Sequence, residues 1–259
     1  MRVKANGISF NCEIDGREGT PWIVFSNSLM TDLSMWDDQV AALKGEFRIL
    51  RYDQRGHGGT EAPTGAYKFQ TLVADVVALF DALEIRRTHF VGLSMGGMTA
   101  IALAEQHAER LNRVVACDCG PNSTPQSAQQ WEERIAIAEA KGMEGMAEPT
   151  VTRWCGPEFL SGNPNGVNRL RQMIRTTPLN GFVGCARALS DFDLRPDLPK
   201  IKTPIQFICG GKDASLPGTK ALHAAIAGSA FLEIPGAGHI SNVEQPELVN
   251  RTVRNFLRG

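Results

Sequence analysis

Ser94 lies in Gly92-Leu93-Ser94-Met95-Gly96, a serine two residues from a glycine on either side, with Gly97 following. A serine hydroxyl is a weak nucleophile at neutral pH and needs a base beside it to take its proton. The chain has five histidines, so the base can be sought by elimination. His107 and His223 fall in segments that read as helices, away from any strand end. His89 precedes Ser94 inside a strand, on the wrong side of the turn, and reads as a hydrogen-bonded core histidine. His57, in Arg55-Gly56-His57-Gly58, reads as a turn-stabilising residue. His239 closes Pro235-Gly236-Ala237-Gly238-His239, a glycine-rich loop able to carry an imidazole toward Ser94. It is the candidate base.

A histidine base needs a carboxylate to hold its tautomer and stabilise the imidazolium. Asp213, in Cys209-Gly210-Gly211-Lys212-Asp213, directly follows an apolar strand-like run and is the candidate acid. Its bland alternative is a turn or helix-capping aspartate. Asp118 also ends a strand-like run and is the rival. Asp191 and Asp193 look like helix-end residues. Attack by such a serine on an acyl group creates an oxyanion, which calls for two N–H donors. Met95 supplies one, because the turn aims its N–H, with the N-terminus of the following helix, at the place where that charge develops. Leu29 supplies the other, with Ser28 Oγ as a further donor to the substrate.

These residues need elements to hold them. Thr88–Gly92 reads as a short apolar strand, and the Ala- and Leu-rich run from Met98 as a helix. A sharp strand-to-helix turn between them gives the G-x-S-x-G its meaning. Trp22–Ser26, Phe47–Tyr52, Leu111–Asp118, Pro204–Gly210 and Ala230–Ile234 read as further strands. Helices over Met35–Leu43, Thr71–Glu84, Lys220–Ala227 and Gln245–Leu257 alternate with them. That alternation predicts a mostly parallel sheet with helices on both faces. Arg2–Glu13 reads as an edge strand. Residues 122–195 break the pattern: Gln126–Lys141, Met143–Cys155, Pro164–Thr177 and Gly181–Leu189 all read as helical. The chain is thus expected to form one core from 1–120 and 196–259, with a helical cap, 121–195, inserted over the carboxyl ends of the strands.

The composition excludes several classes. Net charge is −1 over 259 residues, so nothing favours nucleic acid or an acidic membrane surface. No apolar run reaches the roughly 20 residues that span a bilayer. The N-terminus lacks the apolar stretch of a signal peptide, and six scattered cysteines read as buried thiols, so a cytoplasmic protein is expected. Cys117-Asp118-Cys119 has no second pair to complete a zinc site, and no metal is expected.

Asp53-Gln54-Arg55-Gly56-His57-Gly58 resembles the D-x-R-G-x-G turn of the α/β-hydrolase superfamily. The serine turn, the acid loop and the histidine loop match that superfamily too, so the resemblance covers essentially the whole chain. Most members carry His-Gly where this chain has Asn27-Ser28. The run Ser26-Asn27-Ser28-Leu29, followed by Met35-Trp36-Asp37, is similar to the bacterial 3-oxoadipate enol-lactonases; Met30 stands where a glycine is expected in that family. The resemblance implies hydrolysis of an enol lactone bearing a free carboxylate, in aromatic-compound degradation, with no cofactor. A cationic residue should meet that carboxylate. Trp131 and Arg134, three apart on one face of the first cap helix, are the candidates, with Arg153 and Trp154 as the second choice. A carboxylesterase or a carbon–carbon bond hydrolase would use the same three residues. A ligand sensor that keeps a hydrolase fold for binding is the reading of a different class. A haloalkane dehalogenase is disfavoured, because position 94 is serine rather than aspartate. The partner is a small-molecule lactone, and the oligomeric state is left open.

Overall fold

A computed structural model describes all residues, Met1–Gly259. The chain opens with β1 (Arg2–Ala5) and β2 (Ile8–Asp15), then β3 (Trp22–Ser26), α1 (Asp37–Leu43), β4 (Arg48–Tyr52) and α2 (Phe69–Ala82). It continues through β5 (Thr88–Leu93), α3 (Met95–Gln106) and β6 (Leu111–Cys117). Four helices follow: α4 (Pro125–Trp154), α5 (Pro157–Gly162), α6 (Pro164–Thr176) and α7 (Leu179–Ser190). Then come β7 (Ile205–Gly210), α8 (Leu216–Ala225), β8 (Ala230–Ile234), α9 (Ser241–Glu244) and α10 (Pro246–Arg258).

The eight strands form one sheet in the order β1-β2-β4-β3-β5-β6-β7-β8. From β4 through β8 every pairing is parallel. The central strands β5 and β7 are buried along their whole length, as strands covered on both faces must be. Their largely apolar sequences follow from that position, since neither face meets water; Thr88, His89 and Gln206 are the polar exceptions.

Several expectations shift. The single edge strand over Arg2–Glu13 is an antiparallel hairpin, with Val3 opposite Phe10. Asn6 and Gly7 turn it, both at positive φ, which Asn and Gly tolerate best. Helix α3 starts at Met95, three residues before the Met98 read from its Ala-rich stretch. The helical break expected near residue 142 exists: Gly142 adopts φ 67° inside α4 and divides it in two. Helices α5 and α9 were not visible in the sequence, because six and four residues cannot establish a helical period.

The helices between β6 and β7 are joined to the sheet by a narrow neck. Asn122 bridges Asp193, Ser123 N–H donates to Phe192 O at 2.9 Å, and Leu194 N–H donates to Pro121 O at 2.9 Å. Entry and exit segments of the helical stretch thus run side by side. No helix is long and apolar enough to cross a membrane.

Candidate active site

Ser94 occupies the turn between β5 and α3 at φ 54°, ψ −113°, a conformation that a non-glycine residue holds only under strain. The surroundings enforce it. A Cβ at position 92 would overlap the Gly96 carbonyl, and one at position 96 would overlap the Ser26 carbonyl. Backbone thus packs against backbone, and only glycine fits. Ser94 N–H donates to Cys117 O at 2.8 Å, and Gly96 N–H to Asn27 O at 3.1 Å. The turn is tied to both neighbouring strands, and the serine is lifted to the floor of a cavity of about 570 Å³, a volume suited to a small molecule.

His239 reaches that cavity from the loop after β8, and its Nδ1 lies 3.0 Å from Asp213 Oδ2. The Nδ1–H donates to the carboxylate, which leaves Nε2 free to accept a proton. Burial alone would depress His239, but the Asp213 charge and hydrogen bond outweigh it and raise its pKa above 6.5. Burial likewise works against the Asp213 anion, and His239 with the Ser215 hydroxyl and N–H reverses it, leaving Asp213 below the usual carboxylate range. Ser94 Oγ makes no hydrogen bond to His239 in this structure; such contacts commonly tighten only around a substrate.

The rival acid, Asp118, lies beneath this pair. Its Oδ1 accepts from Gly210 N–H at 2.8 Å and its Oδ2 accepts from the Ser241 hydroxyl. It makes no hydrogen bond or ion pair with His239. Full burial, with the Asp213 charge nearby, pushes it up to about 8. The two carboxyl groups therefore differ: Asp213 faces the imidazole and is drawn toward its anion, whereas burial and the Asp213 charge push Asp118 toward its protonated form. Cys209 Sγ completes a trio with them, all within 4.8 Å. Burial holds that thiol protonated, and both carboxyls have partners already, so the donor set suits a metal poorly.

The loop after β3 carries Ser28 and Leu29, which line the cavity. The Leu29 N–H has no acceptor in the protein, and the Met95 N–H precedes the hydrogen-bond ladder of α3. Ser28 Oγ is buried and also unpartnered. Met30, standing where a glycine was expected, does take a left-handed backbone at φ 61°. Its N–H donates to His57 Nε2 at 3.0 Å. Burial lowers His57 to about 4, so this ring stays a neutral acceptor. His57 thus holds the Leu29 loop in shape, with the Gln54 side chain donating to Asn27 O. The turn-stabilising role extends to this neighbouring loop.

The other histidines stay outside the cavity. His89 is a core residue, but it is not hydrogen-bonded as expected: its Nδ1 has no partner, and its ring sits edge-on to Phe47 at 6.0 Å. Burial and two nearby arginines lower it to about 4. His107 caps α3 at its C-terminal end rather than lying within it. His223 stacks on Phe231 at 5.6 Å.

Helix α4 supplies the far wall. Trp131, Arg134, Arg153 and Trp154 all line the cavity, so both the first and the second choice of residue pair meet there. The Arg134 guanidinium lies over the Trp131 ring at 4.6 Å. Trp154 packs on the His239 ring at 5.8 Å. Burial lowers Arg134, and burial together with the Arg134 charge lowers Arg153 to about 10. Neither is within ion-pair distance of a carboxylate. Every other arginine of the inserted helices is paired: Arg169 with Asp37, Arg171 with Glu148, Arg175 with Glu144 and Arg187 with Glu132.

One residue at the site gave no sequence signal. Glu244 accepts from Gly156 N–H at 2.7 Å and from Gly238 N–H at 2.9 Å. Its partner at the end of α4 is 88 positions away, beyond the reach of any local pattern.

A serine with a free N–H pair beside it, and an imidazole backed by a carboxylate, can carry out acyl transfer. The alpha/beta hydrolase fold family matches residues 21–246. Two 3-oxoadipate enol-lactonases of Acinetobacter baylyi are similar over full length. The one numbered 2 is 35% identical over 99% of this chain and 96% of its own, and the one numbered 1 is 34% identical over 100% and 97%. The crystal structure of the enol-lactonase from Burkholderia xenovorans LB400 superposes with a TM-score of 0.96, at 40% identity and over 100% of both chains. By its family match, its sheet and its serine turn, this chain belongs to the alpha/beta hydrolase fold family.

Proposed function

We propose that this enzyme opens an enol lactone bearing a free carboxylate, of the 3-oxoadipate enol-lactone kind, in the degradation of aromatic compounds. The observation that carries the reading is the pair Arg134 and Arg153. In a helical insertion whose other arginines are paired, these two face the cavity without an acid. An anionic substrate supplies the missing charge. The full-length similarity to proteins named 3-oxoadipate enol-lactonase supports the same reading. The segment 121–195 acts as the cap that brings these cations over Ser94.

The chemistry follows from the placement. Ser94 Oγ attacks the lactone carbonyl while His239 Nε2 takes its proton. The Leu29 and Met95 N–H groups receive the oxyanion, and Ser28 Oγ is free to donate to the substrate beside them. Collapse breaks the ring C–O bond. The departing oxygen leaves as an enolate, takes the proton from His239, and the enol tautomerises to a ketone. Water, deprotonated by His239, then adds to the Ser94 ester; collapse breaks the acyl–Oγ bond, Ser94 Oγ takes the proton back from His239, and the second carboxylate is released. Asp213 stabilises the imidazolium in both halves. The Trp131 indole covers the flat ring, while Arg134 takes the free carboxylate in a two-point contact.

The test is a screen of carboxylated enol lactones, neutral lactones and acyclic esters at equal enzyme concentration. The carboxylated lactones should have the highest kcat/KM. A preference for acyclic esters would make the protein a carboxylesterase with the same triad. No turnover of any ester would leave only a binding function.

A further inference from the structure

Two segments distant in sequence meet at a seam beside His239. One is the end of α4, Arg153-Trp154-Cys155-Gly156; the other is Gly236-Ala237-Gly238-His239. They approach backbone to backbone: a Cβ at position 238 would overlap the Trp154 carbonyl, and one at position 156 the Gly236 carbonyl. His239 N–H donates to Trp154 O, and the two rings pack at 5.8 Å. Glu244 crosses this seam from α9. Its Oε2 takes the Gly156 N–H and its Oε1 takes the Gly238 N–H, at 2.7 and 2.9 Å.

We infer that Glu244 is a positioning residue that sets the histidine base and the substrate-facing end of α4 in one register. The inference rests on the reading of His239 as the base. Two backbone donors point at one side chain from two different segments, and only a group with two acceptor oxygens satisfies both. A carboxylate at this point holds Gly238, next to His239, and Gly156, two residues after Trp154, at a fixed spacing. At Gly156 and Gly238 themselves there is no side chain to do that by packing; the Trp154–His239 contact lies to one side of them. Loosening the clamp therefore moves the imidazole relative to Ser94 and Arg153 relative to the substrate together. Neither Ser94 nor the Asp213–His239 contact is part of it, so the effect is on geometry and not on the identity of the base.

Glu244→Gln tests this with almost no change in shape. The amide offers one acceptor and one donor to two N–H groups, so one of them is left facing a donor. The expected result is a loss of roughly ten- to a hundredfold in kcat on p-nitrophenyl acetate, the scale of a misplaced catalytic group, with cooperative unfolding retained. The low-field NMR resonance of the His239 Nδ1 proton, assigned by its disappearance in His239→Ala, should shift or broaden in the variant. A wild-type kcat with an unmoved resonance would overturn the inference, even with a lowered Tm, because Glu244 would then be structural only. Amide exchange in the unaltered protein is the second measurement and needs no variant. The Gly156 and Gly238 N–H groups should be protected as strongly as the strand amides of β7; exchange at the rate of open loops would refute the clamp. Retained activity in His239→Ala is the separate result that would remove the base assignment itself.

Discussion

At the scale of single residues, two carboxyls stand close enough to compete for the base, and their environments decide between them. Asp213 is hydrogen-bonded to the imidazole and is drawn toward its anion; Asp118 is hydrogen-bonded to Gly210 and Ser241 and is pushed toward its protonated form by burial. Asp213→Asn should lower kcat by roughly 10⁴, because the histidine loses its tautomer and its counter-charge. Asp118→Asn should remain active, since an amide mimics a neutral carboxyl. Steady-state kinetics on both variants separate the assignments, and an inactive Asp118→Asn beside a working Asp213→Asn would reverse them. Asp118 also affects stability. An acid whose folded pKa is raised makes the folded state bind the proton more tightly, so its cost is absent below the unfolded value of 3.8 and grows until about pH 8. Asp118→Asn should therefore raise the urea midpoint at pH 8 by more than at pH 4. Ser94→Ala and His239→Ala should each lose roughly 10⁵–10⁶ in kcat while still folding. A tenth of the activity left in Ser94→Ala would place the nucleophile elsewhere. The pH profile follows from His239, which must be neutral to accept a proton. With its pKa raised above 6.5, activity should fall on acidification with a midpoint above that value. A flat profile down to pH 5 would argue against a histidine base.

At the scale of elements, the site depends on what each loop is packed against. The loop after β3 has no regular structure, yet the turn after β4 holds it through His57 and Gln54, and the serine turn holds it through Gly96. The strained Met30 backbone is stable there because its N–H has a neutral ring as acceptor. Helix α4 spans the cavity wall from Trp131 to Trp154, and Gly142 bends it so that both ends reach the same space. That bend is why two arginines 19 positions apart, 134 and 153, meet around one cavity. The consequence is selectivity. Arg134→Met should weaken kcat/KM for a carboxylated lactone by roughly 1.5–3 kcal/mol, the range for a hydrogen bond to a charged group. A neutral ester of similar size should be nearly unaffected. Equal losses on both substrates would mean that Arg134 only shapes the wall.

At the scale of the whole molecule, a buried ion pair joins three distant parts. Arg55, from the turn after β4, meets Asp75 of α2 at 2.6 Å with both side chains largely buried, and Asn6 of the β1–β2 hairpin donates to the same carboxylate at 2.7 Å. Asp75→Asn leaves Arg55 buried without a counter-charge, so unfolding in urea should show a loss of about 3–5 kcal/mol. A change under 1 kcal/mol would mean that water reaches Arg55. The pair was legible only in part: Arg55 belonged to a turn motif, while nothing in the helical segment Thr71–Glu84 marked Asp75 as its partner. The same division runs through the protein. The parallel sheet was readable because buried strands must be apolar throughout and helices must alternate with them. The turn and loops that carry the candidates Ser94, Asp213 and His239 were readable because a strained turn and two strand-end loops demand glycines at set positions. Local sequence determined these, since the physical constraint acts within a few residues. It could not determine that Asp118 is buried away from the imidazole's hydrogen bond, that Arg153 shares a cavity with Arg134, that Asn6 and Gly7 split the first strand into a hairpin partner for β4, or that Glu244 spans the seam beside His239. Each of those depends on groups brought together across the fold. Burial, charge and hydrogen-bond supply at a point in space are set by the tertiary structure and leave no period or motif in the chain.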